Sequence, residues 1–316
     1  QVPLIVVAGG VGVWVVDVPT RTSSVPKLQR VDFLGAITLV TSLVLFLFGL
    51  NSGGNTLPWT HPLVPTSLIL GGFTLLAFVY VESRAAEPIL PPRLLTHRTI
   101  LSSCLANWFV SMSVYILIYY TPIYTHVVLD FTPTASGGLF IPQAAGSAFG
   151  SLAAGLIMKA SGRYRLLNLA SQTLNLAACA AILATFTSTV PTPLPFIFLF
   201  IMGVGYGATL TVTLIAMISA TEHRNQAVVT SASYAFRSTG ASVGICLAGA
   251  VFQNLVWGLL VERFGEGELR EGVRLAFVGA LRGVWAVALG LAAAGAGVSL
   301  GIGEHVLFGD LERRDT

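Results

Sequence analysis

The residues of this chain best placed to do chemistry are an arginine and a row of amides and phenols inside apolar sequence. Arg237 lies eleven residues into the apolar stretch that opens at Gln226, about 16 Å along a helix that rises about 1.5 Å per residue. Gln226, Thr230, Ser233, Arg237, Gly240 and Gly244 follow one another at three- and four-residue steps. That spacing puts a polar and small stripe on one helical face, suited to protein or water rather than to lipid. The stretch, 226 to 257, is too long for an untilted membrane crossing, so two positions are open to the guanidinium. It can face a cavity and gate or recognise a small polar molecule, or it can snorkel to the interface. Asn107, Ser111, Tyr115 and Tyr119 recur at four-residue steps in another apolar stretch. Pro122 removes the backbone hydrogen bond to residue 118 and is expected to bend that helix near Tyr119 and Tyr120. The row suits the lining of a substrate path, whereas Tyr120, Tyr124 and Trp108 read equally as packing or interfacial residues. Gln143, beside Pro142, can bond a substrate or a neighbouring helix.

Other chemistry has little to work with. All fourteen acidic residues fall in expected loops or at span ends, so no mid-membrane proton carrier is visible. Asp130 stands at a mouth, and Asp32 at a helix start, where a carboxylate is favoured. His61, His97, His126, His223 and His305 are scattered over different loops, which leaves no catalytic constellation and no expectation of an enzyme. Cys104, Cys179 and Cys246 lie within apolar segments without ligand spacing and read as small packing residues. Gly203, Gly205 and Gly207 superficially look like a nucleotide loop, but they sit in an apolar span with no βαβ unit and suit close helix packing instead. No cofactor or metal is expected.

The elements that must position these residues are membrane helices. Charged residues make up 10% of the 316-residue chain, against about 25% in soluble domains, and the mean hydropathy is +0.79. Nine apolar spans are expected, at about 2–17 (incomplete), 33–50, 62–81, 99–127, 135–158, 166–187, 194–219, 226–257 and 277–303. Lipid requires the backbone to satisfy itself, and no alternating barrel pattern is present, so the fold class is an all-α polytopic membrane protein. The net charge of +3 is spread thinly between spans, which speaks against nucleic acid.

Loop charges orient the spans. The loops 18–31, 82–98, 159–165 and 220–225 and the tail hold twelve Lys or Arg; the opposite loops hold only Arg263, Arg270 and Arg274. This positive-inside bias places the C-terminus in the cytoplasm and runs the first span inward. That first span opens at Gln1 without the basic region of a signal peptide, so the chain reads as cut at its start. Pro88, Pro91 and Pro92 favour an extended connection and mark the main boundary. The expected domains are 1–17 (a partial helix), 18–98 (two helices and their loops), 99–303 (a six-helix bundle) and 304–316 (a tail).

The stretch from Thr134 to Arg165 ties these features together. Gly146, Gly150 and Ala154 give one helical face without bulk, and Lys159, Gly162, Arg163 and Arg165 follow as a basic turn. The run from Gly155 through Lys159, Gly162 and Arg163 to Arg165 resembles the C-terminal-half form of the cytoplasmic loop signature of the major facilitator superfamily, with Lys159 where the N-terminal form has an acid. GGNTLPWTHP at 53–62, YYTPIYTHVV at 119–128 and AVVTSASYAFRSTGASVG at 227–244 are similar to the vacuolar basic amino acid transporters within its fungal fourteen-helix drug:proton antiporter branch.

This resemblance implies a partial major facilitator fold: the end of an N-terminal bundle, two linker helices and a complete C-terminal six-helix bundle, monomeric in the bilayer, moving by alternating access. It implies proton-coupled antiport of small molecules such as basic amino acids into the vacuole; the alternatives are multidrug efflux at the plasma membrane and a truncated, non-transporting product. With five helices expected to be missing, this chain by itself is not expected to transport. Asn107, Tyr115, Tyr119, Gln143 and Arg237 are expected to line or gate the path, although a cationic substrate beside Arg237 carries a like-charge cost.

Overall fold

The computed structural model describes residues 9–11, 32–53, 56–85, 96–188, 190–222, 225–263 and 269–304. Most of the expected first span, the loop 18–31, the prolines at 88, 91 and 92, and most of the tail lie outside the described residues. Within them the chain forms α1 (Phe33–Ser52), α2 (Leu63–Arg84), α3 (Arg98–Val127), α4 (Pro133–Gly137), α5 (Phe140–Ser161), α6 (Arg165–Thr185), α7 (Pro193–Ser219), α8 (Gln226–Arg263) and α9 (Leu269–Ser299). Eight helical spans are long and apolar enough to cross a bilayer, the turn α4 being continuous with α5.

α1 and α2 form an antiparallel pair. Asp32 caps α1 by accepting from the Gly35 N–H at 2.7 Å, a polar start that satisfies one of the otherwise open donors of the first turn. Ser42 donates to the Gly71 carbonyl at 3.0 Å, and a Cβ on Gly49 would collide with Ser67 and Leu68. At the turn, a Cβ on Gly53 would meet the Trp59 ring at 2.6 Å, which explains why glycine and tryptophan share that loop. Glu82, in the last turn of α2, is buried; the sequence places it at a span end without showing that burial.

The remaining long helices pack around α3, which runs through the centre and touches α7, α8 and α9. α5 lies on α7, α6 bridges α7 and α9, and α8 touches both α9 and the outlying α1. Helices in lipid gain little from hiding apolar surface from one another, so close approach and hydrogen bonds must supply the association. Close approach is extreme between α5 and α7. A Cβ on Gly146 or Gly150 would strike the backbone of Phe200 or Val204, and one on Gly203 or Gly207 that of Gln143 or Ser147. Gly240 and Gly244 of α8 do the same against α3, where a Cβ would lie 2.5 Å from the Trp108 carbonyl and 2.7 Å from the Met112 Cα.

Two local differences from the sequence reading concern charged residues of α8 and α9. α8 and α9 overrun their apolar spans, so Arg263 and Arg274 are helical rather than in a loop; leucine, arginine and glutamate all sustain a helix beyond the hydrocarbon. Arg282 also stands within α9, on its exposed side, so Arg237 is not alone among in-span charges. α3 stays helical through Pro122 to Val127, with the Thr125 hydroxyl donating to the Pro122 carbonyl at 3.1 Å.

Candidate functional site

The site is built from the middle of α3 outward. Asn107, 1% exposed, ties three helices together: its Nδ2 donates to Ser233 Oγ of α8 at 2.9 Å, and its Oδ1 accepts from Thr213 Oγ1 of α7 at 2.9 Å. An amide suits this junction because it offers donors and an acceptor at once. The clasp continues sideways, since Thr213 also donates to the Thr209 carbonyl at 2.7 Å and Thr209 Oγ1 donates to Ser171 Oγ of α6 at 3.1 Å. Asn107 therefore serves as a structural node, buried beneath whatever surface meets a substrate.

Two turns along α3, Tyr115 meets the ring of Tyr206 of α7 edge-on, with centroids 6.5 Å apart. Arg237 is half-buried and sets its guanidinium over the Tyr234 ring, 4.4 Å from the centroid. A guanidinium on a ring that is more than half exposed gains about 0.5–1 kcal/mol from the ring's quadrupole. Arg237 and Tyr234 thus form a polar-aromatic group on α8, and Tyr115 and Tyr206 form a separate aromatic pair between α3 and α7. Such a group can hydrogen-bond a substrate, hold an anionic group, or stack on a flat apolar one.

The other expected residues are distributed differently. Tyr119 is 52% exposed and leans edge-on against Tyr120 at 5.1 Å. Tyr120 and Tyr124 are core residues: Tyr120 packs on Phe252, and Tyr124 stacks on Phe186 at 4.7 Å while donating to the Thr187 carbonyl at 2.6 Å. Gln143 lies on the α5–α7 seam, its backbone carbonyl directly opposite Gly203; among the described contacts none joins its side chain to Asn107 or Arg237.

In the basic turn, Gly162 takes the left-handed conformation, φ 65°, and ends α5 by donating to the Met158 carbonyl at 2.9 Å. Lys159, Arg163 and Arg165 are exposed, while buried Tyr164 anchors the turn by donating to the Gly303 carbonyl at 2.8 Å. A Cβ on Gly155 would meet nothing within 4 Å, so packing does not require glycine there. At the opposite end, Asp130 and Arg274 share the wall of a cavity of about 530 Å³ with Ser188, whose carbonyl accepts from Arg274 Nη2 at 2.6 Å.

Sequence reasoning missed Tyr206 and Tyr234, which carry the partners of Tyr115 and Arg237, and the inward face of α6 with Asn168, Gln172 and Asn175. Tyr234 was signalled by its place one turn before Arg237. The amides were signalled by spacings of four and three residues within an apolar span.

The family model for the Major Facilitator Superfamily matches residues 4–245, and the chain belongs to that family. It is 36% identical over 253 residues to the multidrug resistance protein fnx1 of Schizosaccharomyces pombe, covering 78% of this chain and 48% of that protein. It is 31% identical over 259 residues to the vacuolar membrane amino acid uptake transporter fnx2 of the same yeast, covering 81% and 45%. The chain spans about half the length of the curated relatives it matches. Among solved structures, a bacterial homolog of the human lysosomal transporter Spinster, inward-facing and occupied, matches with a TM-score of 0.56 at 16% identity, covering 84% of this chain and 67% of that one. That likeness establishes the major facilitator fold.

Proposed function

We propose that this chain forms the linker and C-terminal part of a secondary active transporter that moves small polar molecules, basic amino acids among them, from the cytosol into the vacuole in exchange for protons. The observation that supports it best is the Arg237 guanidinium, half-buried within the apolar span of α8 and stacked on Tyr234, because an in-membrane cation marks a functional position. Stacking on Tyr234 draws the guanidinium charge onto an aromatic face, and this lowers the like-charge cost of a cationic substrate nearby. Its remaining donors suit a substrate carboxylate. In this reading Tyr119 and Gln143 flank the path, the exposed basic turn of Lys159, Arg163 and Arg165 faces the cytosol with the C-terminus, and the protein works as a monomer.

The test is uptake of labelled lysine, arginine and histidine into isolated vacuoles containing the full-length protein of which this sequence is part. ATP-dependent uptake that vanishes when the proton gradient is collapsed, and falls with Arg237→Ala, supports the proposal. Vacuolar location without uptake removes the amino acid reading. The name of fnx1, a multidrug resistance protein, supports a second reading, efflux of drug-like molecules; it predicts drug sensitivity on gene deletion and drug-stimulated proton flux in place of amino acid uptake.

A further inference from the structure

The inward face of α6 carries more hydrogen-bonding capacity than the protein fills. Asn168, Gln172 and Asn175 are each at most 1% exposed. Asn168 Oδ1, both amide atoms of Gln172 and Asn175 Nδ2 are buried without a hydrogen-bond partner. The groups around them are already engaged: Ser171 donates to the Asn168 carbonyl at 2.9 Å and accepts from Thr209, while Cys179 leans on Asn175 Oδ1 at 3.8 Å and on Ser113 Oγ at 3.4 Å. Mutual pairing among three amides on one helix face would satisfy a bond or two and leave most donors and acceptors open. In a low-dielectric interior each open group costs at least as much as a lost hydrogen bond, and four on one face of one helix need an occupant.

The chemistry of the lining selects that occupant. It is neutral, offers donors and acceptors in alternation and, among the described residues, presents no carboxylate to hold a metal cation. Those properties match water, which makes about three bonds to buried polar groups. Asn168, Gln172, Asn175 and Cys179 lie about 5, 11, 15 and 21 Å from the start of α6 at about 1.5 Å per residue. The row therefore leads inward from the exposed basic turn to the middle of the bundle. It also joins, through Ser171, Thr209 and Thr213, the Asn107 clasp that holds α8.

We propose that the inward face of α6 binds buried water molecules as far as Cys179, held by the amides of Asn168, Gln172 and Asn175. This stands apart from the transport reading, and its test measures hydration. The full chain in lipid nanodiscs is exposed to short X-ray pulses, and oxidation by hydroxyl radicals from nearby water is followed at two buried thiols. Cys179 is 1% exposed beside the amides; Cys104 is 0% exposed in an apolar cluster with Phe78, Ile100 and Met217. Oxidation of Cys179 several-fold faster than Cys104, lost in Gln172→Leu, is the expected result. Equal, slow oxidation of both thiols overturns the proposal, as does fast oxidation of Cys179 that ignores Gln172→Leu. Thermal unfolding gives a second arm: a hydrated amide makes Gln172→Leu and Gln172→Met lower the Tm, because bound water and its partners are displaced, whereas a dry one makes both raise it, because an orphaned polar group has been removed. If neither variant folds, the ratio of the two thiols in the unmodified chain still decides.

Discussion

The α5–α7 seam and the seam joining α3 to α6, α7 and α8 hold one bundle together with different shares of shape and hydrogen bonding. Along the first, four glycines bring backbone against backbone, and the contribution is shape. Along the second, Asn107, Ser233, Thr213, Thr209 and Ser171 pass hydrogen bonds across four helices. Glycine positions facing backbone tolerate no added atom, Gly240 and Gly244 of α8 against α3 included, whereas the hydrogen-bonded positions of the second seam fail when a partner is removed. The half-buried polar-aromatic group around Arg237 sits on the second kind. Hydrogen-bonded helices can exchange partners as they shift, and a backbone-locked pair moves as one body. By that criterion α5 and α7 move together, and so do α3 and α8, which also meet backbone to backbone at Gly240 and Gly244.

The sharpest way to break this comparison is to add atoms to the rigid seam. Gly150→Val and Gly207→Val each drive a side chain into backbone that cannot rotate away, and the expected cost is about 3 kcal/mol or more. Melting in detergent or lipid should show loss of the folded transition, or a Tm many degrees lower. A near-normal melt would mean that α5 and α7 are not locked together.

On the second seam the expected loss is smaller and chemically specific. Asn107→Leu keeps the volume but leaves Ser233 without its buried partner and Thr213 with only its own helix's carbonyls, at about 1–3 kcal/mol. A double-mutant cycle with Ser233→Ala should return a coupling of on the order of 1 kcal/mol, as membrane-buried hydrogen bonds do. A coupling near zero would show that Asn107 acts through packing alone.

The two seams were not equally legible in the sequence. Glycines spaced by four within apolar spans announce close packing by themselves, because nothing else explains their cost to a helix. The α5 stripe and the glycines of α7 could therefore be matched to a role before any fold was known. The row Asn107, Ser111, Tyr115 and Tyr119 was equally visible, but its members went to different places: Asn107 to a buried node, Tyr115 to a ring contact with Tyr206, Tyr119 to an exposed face. Periodicity gives the angle at which a residue leaves its own helix and nothing about which neighbour stands there, so Tyr206 and Tyr234 were missed. The amides of α6 were missed for a related reason. Asn168, Gln172 and Asn175 were not singled out, although their three- and four-residue spacing gathers them on one side.

Between the seams and the opposite end of the bundle lies a smaller test. Tyr124 combines both devices, stacking on Phe186 and bonding the Thr187 carbonyl. Tyr124→Phe retains the stack and removes only the bond, so the loss should be about 1 kcal/mol, read as a modest fall in Tm. A loss as large as that of Gly150→Val would mean the hydroxyl holds the whole α6–α7 connection.

The smallest expected effect sharpens the comparison most, because it lies on the same helix as the largest. Gly155 is five residues beyond Gly150, yet a Cβ there meets nothing within 4 Å. Gly155→Ala should be neutral or should stabilise the helix by up to about 1 kcal/mol, the difference in helix propensity. Gly155 also opens the run that ends in the exposed Arg163 and Arg165. If Gly155→Ala leaves the melt unchanged and slows transport by the full-length protein, the glycine is needed in a conformation other than the one described, with another element pressed against it. If both are unchanged, the signature's glycine carries no packing role in this half, and its function rests on Lys159, Gly162 and the two arginines. If the melt falls sharply, the packed seam continues to the end of α5.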